Sequence, residues 1–238
     1  MITKNAKETP ETGALYVIST PIGNLEDITL RALRILKEVD LICAEDTRKT
    51  RILLNHFNIN TPVTSYYEHN ELSKTPHIIQ KVKEGTKAAI VSEAGTPTIS
   101  DPGYRIIVSA IQEDITVIPI PGPSAALTAL SISGLPVHRF AFEGFLPAKP
   151  GKRKNFLHKI SNEERTLIFF ESPHRIIKTL CDLIEIFGGD RNATMCRELT
   201  KIHEERLSCP LSLLLKTIEK KTIKGEITLV VEGKKRIK

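Results

Sequence analysis

Apolar positions in the first half of the chain fall into short runs, at 14–19, 39–44, 62–66, 87–92 and 115–120. Between them lie stretches whose apolar residues recur at helical spacing, at 30–37, 48–57, 78–83 and 104–112. Strand-length runs alternating with helix-length patterns predict βαβ units and a mainly parallel sheet. Such sheets bind ligands outside the carboxyl ends of their strands.

The second half carries runs at 139–142, 166–170, 192–196, 205–208 and 226–231, with helical patterns at 153–160, 174–187 and 211–220. Less helix separates the last runs, so a mixed sheet is expected there. A helix starting at Ser124 ends at Gly134-Leu135-Pro136, and the change of domain falls in this region. The pattern gives a disordered tail at 1–12, a first α/β domain at 13–125, a second at 126–233 and a basic tail at 234–238. No apolar run approaches the roughly 20 residues of a spanning helix. The polar amino end lacks the apolar core of a signal peptide, so a cytoplasmic protein without a membrane partner is expected.

Composition adds a charge asymmetry. Net charge is +6, but residues 1–125 carry 13 Lys+Arg against 15 Asp+Glu (−2), and residues 126–238 carry 21 against 13 (+8). The second half is suited to a polyanion partner, or to a solvated basic surface. Its most basic segment, Lys149-Pro150-Gly151-Lys152-Arg153-Lys154, reads as a flexible loop. Lys152 and Arg153 are its candidate polyanion contacts. The four cysteines, Cys43, Cys181, Cys196 and Cys209, show no metal-ligand spacing and read as buried free thiols. No metal site is expected.

Turn residues cluster after each strand of the first half: Thr20-Pro21-Ile22-Gly23-Asn24, Glu45-Asp46-Thr47-Arg48, Tyr67-Glu68-His69-Asn70-Glu71, a long stretch from Glu93-Ala94-Gly95-Thr96-Pro97 to Ser100-Asp101-Pro102-Gly103, and Pro121-Gly122-Pro123-Ser124. The loops at the opposite strand ends, such as Asn58-Ile59-Asn60, are short. Five elaborate loops on one rim suggest one site. Gly95 and its neighbours allow backbone to approach a ligand closely. No Walker-type loop and no three-glycine dinucleotide fingerprint is present. Asp46 reads equally as a helix cap and as a catalytic carboxylate. Asp101 is the second candidate base on the rim. Arg48, His69, Asn70, Arg175 and Lys201 are candidates to hold phosphate or ribose.

The same residues resemble the RsmI-type ribosomal RNA methyltransferases of the tetrapyrrole-methylase superfamily. The resemblance rests on Thr20 to Leu25, Asp27-Ile28-Thr29-Leu30, Ala44 to Arg48, Glu68 to Glu71, Gly95 to Gly103, Pro121 to Ala125, Phe142 to Pro147, Glu171 to Arg175 and Arg197 to Lys201. It implies two α/β domains with S-adenosylmethionine between them, a homodimer, and 2′-O-methylation of a cytidine ribose in the decoding region of 16S ribosomal RNA. It marks Ile22, Gly95, Thr96, Ile99, Ser124 and Ala125 as cofactor contacts, with Pro21, Gly23 and Pro97 beside them. Glu93 stands where this family usually has Asp. Two other readings stay open: a small-molecule tetrapyrrole methylase of the same fold, and a non-catalytic RNA-binding assembly factor. The first would carry a Gly-rich first loop, which this chain lacks.

Overall fold

The computed structural model describes residues 12–235. Nearly all of the expected amino-terminal tail, and residues 236–238 of the basic tail, lie outside the described residues. The chain divides into two compact units, Met1–Pro123 and Ser124–Lys238, each built on a five-stranded sheet.

In the first unit, β1 (Ala14–Ile18), β2 (Leu41–Ala44), β3 (Val63–Ser65), β4 (Lys87–Val91) and β5 (Thr116–Ile120) lie in the order β3-β2-β4-β1-β5. Every neighbouring pair is parallel. Alternation along the strands loads both faces with apolar side chains. Tyr16, Ile18, Ile42, Ala44 and Val91 pack under Ala32, Ile35 and Leu36 of α1 (Leu30–Glu38) and Leu53 and Leu54 of α2 (Thr47–His56). Leu15, Cys43, Ala88 and Ile90 pack on the other face, under Ile78, Ile79 and Val82 of α3 (Glu71–Lys83) and Ile106 and Ala110 of α4 (Tyr104–Gln112). The chain leaving β1 therefore runs over one face and the chain leaving its neighbour β4 over the other. That divergence is a topological switch point, with a crevice outside the strand ends.

Helix α3 begins well before the apolar pattern at 78–83. Pro76 sits inside it and breaks the helical spacing. The turn around it is held by the Thr75 hydroxyl, which bonds the Glu71 carbonyl (2.7 Å) and the Tyr66 hydroxyl (2.8 Å).

The second unit orders β6 (Phe140–Phe145), β7 (Thr166–Glu171), β8 (Asn192–Arg197), β9 (Glu205–Pro210) and β10 (Ile227–Val231) as β6-β7-β10-β8-β9. Only β6 and β7 pair in parallel; the other neighbours are antiparallel, so the sheet is mixed. Helix α5 (Ala125–Ile132) opens the unit. Helices α6 (Pro150–Ile160), α7 (Ile176–Phe187) and α8 (Leu211–Ile218) follow, and their apolar faces bury Leu157, Leu180, Leu183, Leu214 and Ile218 against Phe169, Met195, Leu229 and Val231. Strand β6 outlasts its alternating pattern because its register shifts between Phe142 and Gly144, where Gly144 has φ +64°.

The basic segment is not a loop. Pro150 lies in the first turn of α6, where its fixed φ favours a helix start, and the helix carries residues 150–154. Arg153 is buried, and its Nε donates to Asp182 Oδ2 at 2.7 Å. Lys154 pairs with Glu185 at 2.6 Å. Arg153 is thus withdrawn from any polyanion, whereas Lys149 and Lys152 stay exposed. Among the cysteines, Cys43 and Cys196 are buried, Cys209 is partly so and Cys181 is exposed, all free. Burial pushes the Cys43 thiol up to about 12 and the Cys196 thiol up to about 11.

Removing one partner of a buried ion pair strands the other charge. Arg153→Ala is expected to lower unfolding free energy by about 3 kcal/mol, read as a shift in denaturant midpoint. Lys149→Gln and Lys152→Gln are expected to leave the midpoint in place, because both side chains are exposed.

Candidate active site at the switch point

The crevice is floored by backbone. Thr20, just past β1, and Gly95, past β4, exchange both main-chain hydrogen bonds, Thr20 N–H to Gly95 O at 2.8 Å and Gly95 N–H to Thr20 O at 3.0 Å. Ser19 Oγ and Thr96 Oγ1 share a 3.0 Å hydrogen bond, and Thr96 Oγ1 donates to the Pro123 carbonyl at 3.2 Å. The loops after β1, β4 and β5 are thereby joined. Gly95 has φ +82°, and a Cβ added there would meet Ile22 Cγ2 at 3.4 Å. This backbone conformation calls for glycine.

Pro21, Ile22, Gly23, Gly95, Thr96, Pro97 and Ile99 all lie on these joined loops. Ile22 and Pro97 are buried, while Gly23 and Ile99 face solvent. Ser124 and Ala125 belong to the second unit, where Ser124 precedes α5 and its hydroxyl makes no capping bond. Beyond Pro97 the β4 loop is strained: Thr98 has φ +74° and Ser100 φ +65°. A β-branched residue in that region is an outlier of the kind that clusters at ligand sites.

The strained loop delivers Asp101 into a cavity of about 520 Å³, lined by Glu45, Tyr67, Glu68, His69, Glu71, Asp101 and Tyr104 together with Ser100, Pro102 and Gly103. Burial, then the charge of Glu45, raises the Asp101 carboxyl to about 7, against a smaller downward pull from a hydrogen bond with the Ser92 hydroxyl; Glu93 adds to the rise. The Glu45 carboxyl is also raised, chiefly by burial, while its Oε2 accepts the Glu93 N–H at 3.1 Å. The Glu93 carboxylate itself pairs with Lys49.

Asp46 has a different role. It caps α2, accepting the Arg48 N–H at 2.8 Å and the Lys49 N–H at 3.4 Å. Those bonds hold its carboxyl below its ordinary value. A carboxylate so engaged is a poor proton acceptor, and of the two expected bases Asp101 has the suited environment. Arg48 is 89% exposed beside it. His69 lines the cavity, whereas Asn70 is spent on the fold: its Oδ1 accepts the Tyr67 N–H at 2.9 Å and its Nδ2 donates to Ser65 Oγ at 3.3 Å. In the second unit Arg175 binds buried Glu171 at 2.6 Å and the Leu146 carbonyl at 3.1 Å. Lys201 binds Glu198 at 2.9 Å and Glu226 at 3.1 Å. Neither cation is left uncompensated to meet a phosphate. The sequence pattern placed Tyr67 and Glu45 in rim loops without naming either as a site residue, and it passed over Tyr104. Strand alternation alone, with Tyr66 buried and Tyr67 turned out, could have marked the first.

Two α/β units, an α/β switch point and a strained, carboxylate-bearing rim define a class. The sequence profile of the tetrapyrrole (corrin/porphyrin) methylases matches residues 14–214, and the chain belongs to that family. The two-domain tetrapyrrole-methylase-like α/β fold expected from the sequence is confirmed by solved structures. Diphthine synthase superposes with a TM-score of 0.71 at 17% identity, covering 94% of this chain and 91% of its own. A Thermus thermophilus uroporphyrin-III C-methyltransferase complexed with S-adenosylhomocysteine superposes with a TM-score of 0.65 at 16% identity, covering 92% and 97%. Within the family, much nearer relatives share one name, ribosomal RNA small subunit methyltransferase I. That of Halalkalibacterium halodurans is 52% identical over 221 residues, 93% of this chain and 76% of the relative. That of Thermotoga maritima is 48% identical over 222 residues, 93% of this chain and 99% of the relative.

A carboxyl raised on folding favours the native state while protonated and opposes it once ionised. The Asp101 contribution is therefore lost as pH rises from its unfolded value of 3.8 through about 7. Asp101→Asn is expected to raise Tm above pH 7 and to match the parent below about pH 3, where the carboxyl is protonated in the folded and the unfolded chain alike. A Tm difference independent of pH would contradict this environment for Asp101.

Proposed function

We propose that the chain transfers a methyl group from S-adenosylmethionine to the ribose 2′-oxygen of a cytidine in the decoding region of small-subunit ribosomal RNA. We place it in the cytoplasm, as the homodimer that the sequence resemblance implies. The observation that carries the reading is the 46–52% identity, across more than nine-tenths of the chain, to proteins named for small-subunit ribosomal RNA methylation.

The joined loops fit the cofactor. A cradle of backbone at Gly95, with Ile22 beneath it and Thr96 beside it, leaves room that any side chain at 95 would narrow. In this proposal Pro21, Ile22, Gly23, Gly95, Thr96, Pro97 and Ile99 hold S-adenosylmethionine, which supplies an electrophilic methyl group when bound. The protein's share is to align the acceptor oxygen, worth roughly 7–11 kcal/mol in well-oriented reactions, and to remove one proton. A carboxylate that titrates near neutrality is matched to that second task. Asp101 accepts the hydroxyl proton, so turnover rises with pH through about 7. Lys149 and Lys152 are exposed cations suited to RNA phosphates, whereas the exposed Arg48 is paired with Asp46 at 3.4 Å.

Gly95→Val should weaken S-adenosylmethionine binding at least tenfold by calorimetry with the circular dichroism spectrum retained, since valine is strained at φ +82° and crowds Ile22. Unchanged affinity would place the cofactor elsewhere.

The acceptor atom is tested by chemistry of the product. Small ribosomal subunits methylated with labelled cofactor are digested with alkali. A 2′-O-methyl group blocks cleavage at its own linkage, so label is expected in a resistant dinucleotide. Label found only in mononucleotides would mean base methylation.

A further inference from the structure

Two tyrosine rings stand on the rim of the cavity beside Asp101. Tyr67 is 40% and Tyr104 73% exposed, whereas the remaining tyrosines, Tyr16 and Tyr66, are buried. Large aromatic rings left in solvent side by side with a cavity call for a partner more than scattered exposed residues do.

Neither ring is carried by slack chain. The Tyr67 N–H donates to Asn70 Oδ1 at 2.9 Å, and its carbonyl accepts from the Asn70 and Glu71 N–H groups at 2.9 and 3.0 Å. Its ring meets the His69 ring edge-on, with centroids 6.2 Å apart. Tyr104 opens α4 directly after Gly103, whose φ is +122° and where an added Cβ would lie 2.7 Å from Ile90 Cδ1. The turn that presents Tyr104 is therefore fixed by glycine packed on the core.

Four of the other lining residues are acidic, Glu45, Glu68, Glu71 and Asp101, with His69 the one basic side chain among them. Arg105 engages Glu71 at 2.7 Å, and among the described residues the Glu68 carboxylate has no hydrogen-bond or ion-pair partner. Such a lining repels phosphate. It accepts a flat, uncharged group that offers a π face to the tyrosines and hydrogen-bond donors to the carboxylates. One nucleoside offers both, through its base and its ribose hydroxyl, and a volume of about 520 Å³ is in the range of a pocket for a molecule of that size.

We propose that this cavity receives a single nucleoside swung out of the RNA, its base stacked on Tyr104 and Tyr67, its exocyclic amine donating to Glu68 and its ribose hydroxyl directed at Asp101. The proposal rests on the RNA-methylation reading above. It supplies a reason for cytidine: uracil offers a carbonyl oxygen where cytosine offers an amino group, and a carbonyl facing Glu68 sets acceptor against acceptor. Swinging one nucleotide out of a stack is the general route by which enzymes reach buried atoms of nucleic acid, and aromatic stacking is the usual hold on single-stranded bases.

The test is steady-state methyl transfer to small ribosomal subunits by wild type, Tyr104→Ala and Tyr104→Phe, with S-adenosylmethionine titrated into each. Loss of one stacking ring is expected to lower kcat/KM on the order of tenfold, mainly through KM. Tyr104→Phe should restore it, and cofactor affinity should be equal in all three. Subunits reconstituted with uridine at the mapped acceptor should be methylated at least tenfold more slowly by wild type. Wild-type kcat/KM in Tyr104→Ala would overturn the stacking site while leaving RNA methylation standing. Equal rates on uridine would overturn the Glu68 contact. A wild-type protein that puts no label into small subunits would sink the underlying reading, and this proposal with it.

Discussion

The site depends on one pair of backbone hydrogen bonds, those between Thr20 and Gly95. Parallel strands β1 and β4 end side by side and send their chains over opposite faces of the sheet, which opens a crevice and leaves main-chain polar groups at its floor. Buried N–H and C=O groups require partners. Here the two loops satisfy each other, and the same bonds fix Gly95 against Ile22 and bring Thr96 within reach of Ser19 and Pro123. A loop anchored in this way at one end and by the tightly packed Gly103 at the other can hold Thr98 and Ser100 at positive φ between them. Asp101 lies within that anchored span, so its raised carboxyl follows from backbone constraints set some distance away in sequence.

Most of the fold was legible because both halves obey simple periods. Each of the five strands of the first unit begins and ends within about two residues of its apolar run, and the sparser helix content of the second half foretold its mixed sheet. The departures have local causes. Pro76 masks the start of α3, since it interrupts the helical spacing of a segment that hydrogen bonds from Thr75 keep helical. The bulge at Gly144 ends the alternation of β6 before the strand itself ends. The stretch at 149–154 looked like solvated loop because its charges dominate its composition. What makes it helix is partly Asp182, 29 residues further on, which takes Arg153 into the interior; no local pattern announces a partner at that distance.

The candidate site was legible at the level of loops and less so at the level of side chains. Glycine and proline report backbone geometry directly, which is why the segments around Gly95 and Pro121 could be singled out. Polar side chains report only capacity. Asn70, Arg175 and Lys201 have the chemistry to hold ribose or phosphate, yet each is engaged by neighbours that hold a turn or a buried carboxylate in place. Asp46 and Asp101 are both rim aspartates in the sequence. Only the structure separates them, through two N–H groups capping onto one and burial near Glu45 acting on the other.

The charge split bears on how an acidic cavity can serve an RNA substrate. Net charge acts at long range, over roughly a Debye length of about 8 Å in physiological salt, and draws in a polyanion whatever its sequence. Direct phosphate contact needs an exposed and uncompensated cation. Of the second unit's basic residues, Arg153, Lys154, Arg165, Arg175, Arg197 and Lys201 are each paired with a carboxylate. Their charges add to the field, but their hydrogen bonds are taken. Contact with phosphate is therefore left to cations outside such pairs, among them the exposed Lys149 and Lys152. Attraction of the backbone and acceptance of the base are then separate tasks with opposite electrostatic requirements. On the proposed reading, a cavity bearing carboxylates suits the second task because it disfavours phosphate, so that a nucleoside which has left its stack, with its backbone held outside, would bring a hydroxyl to Asp101.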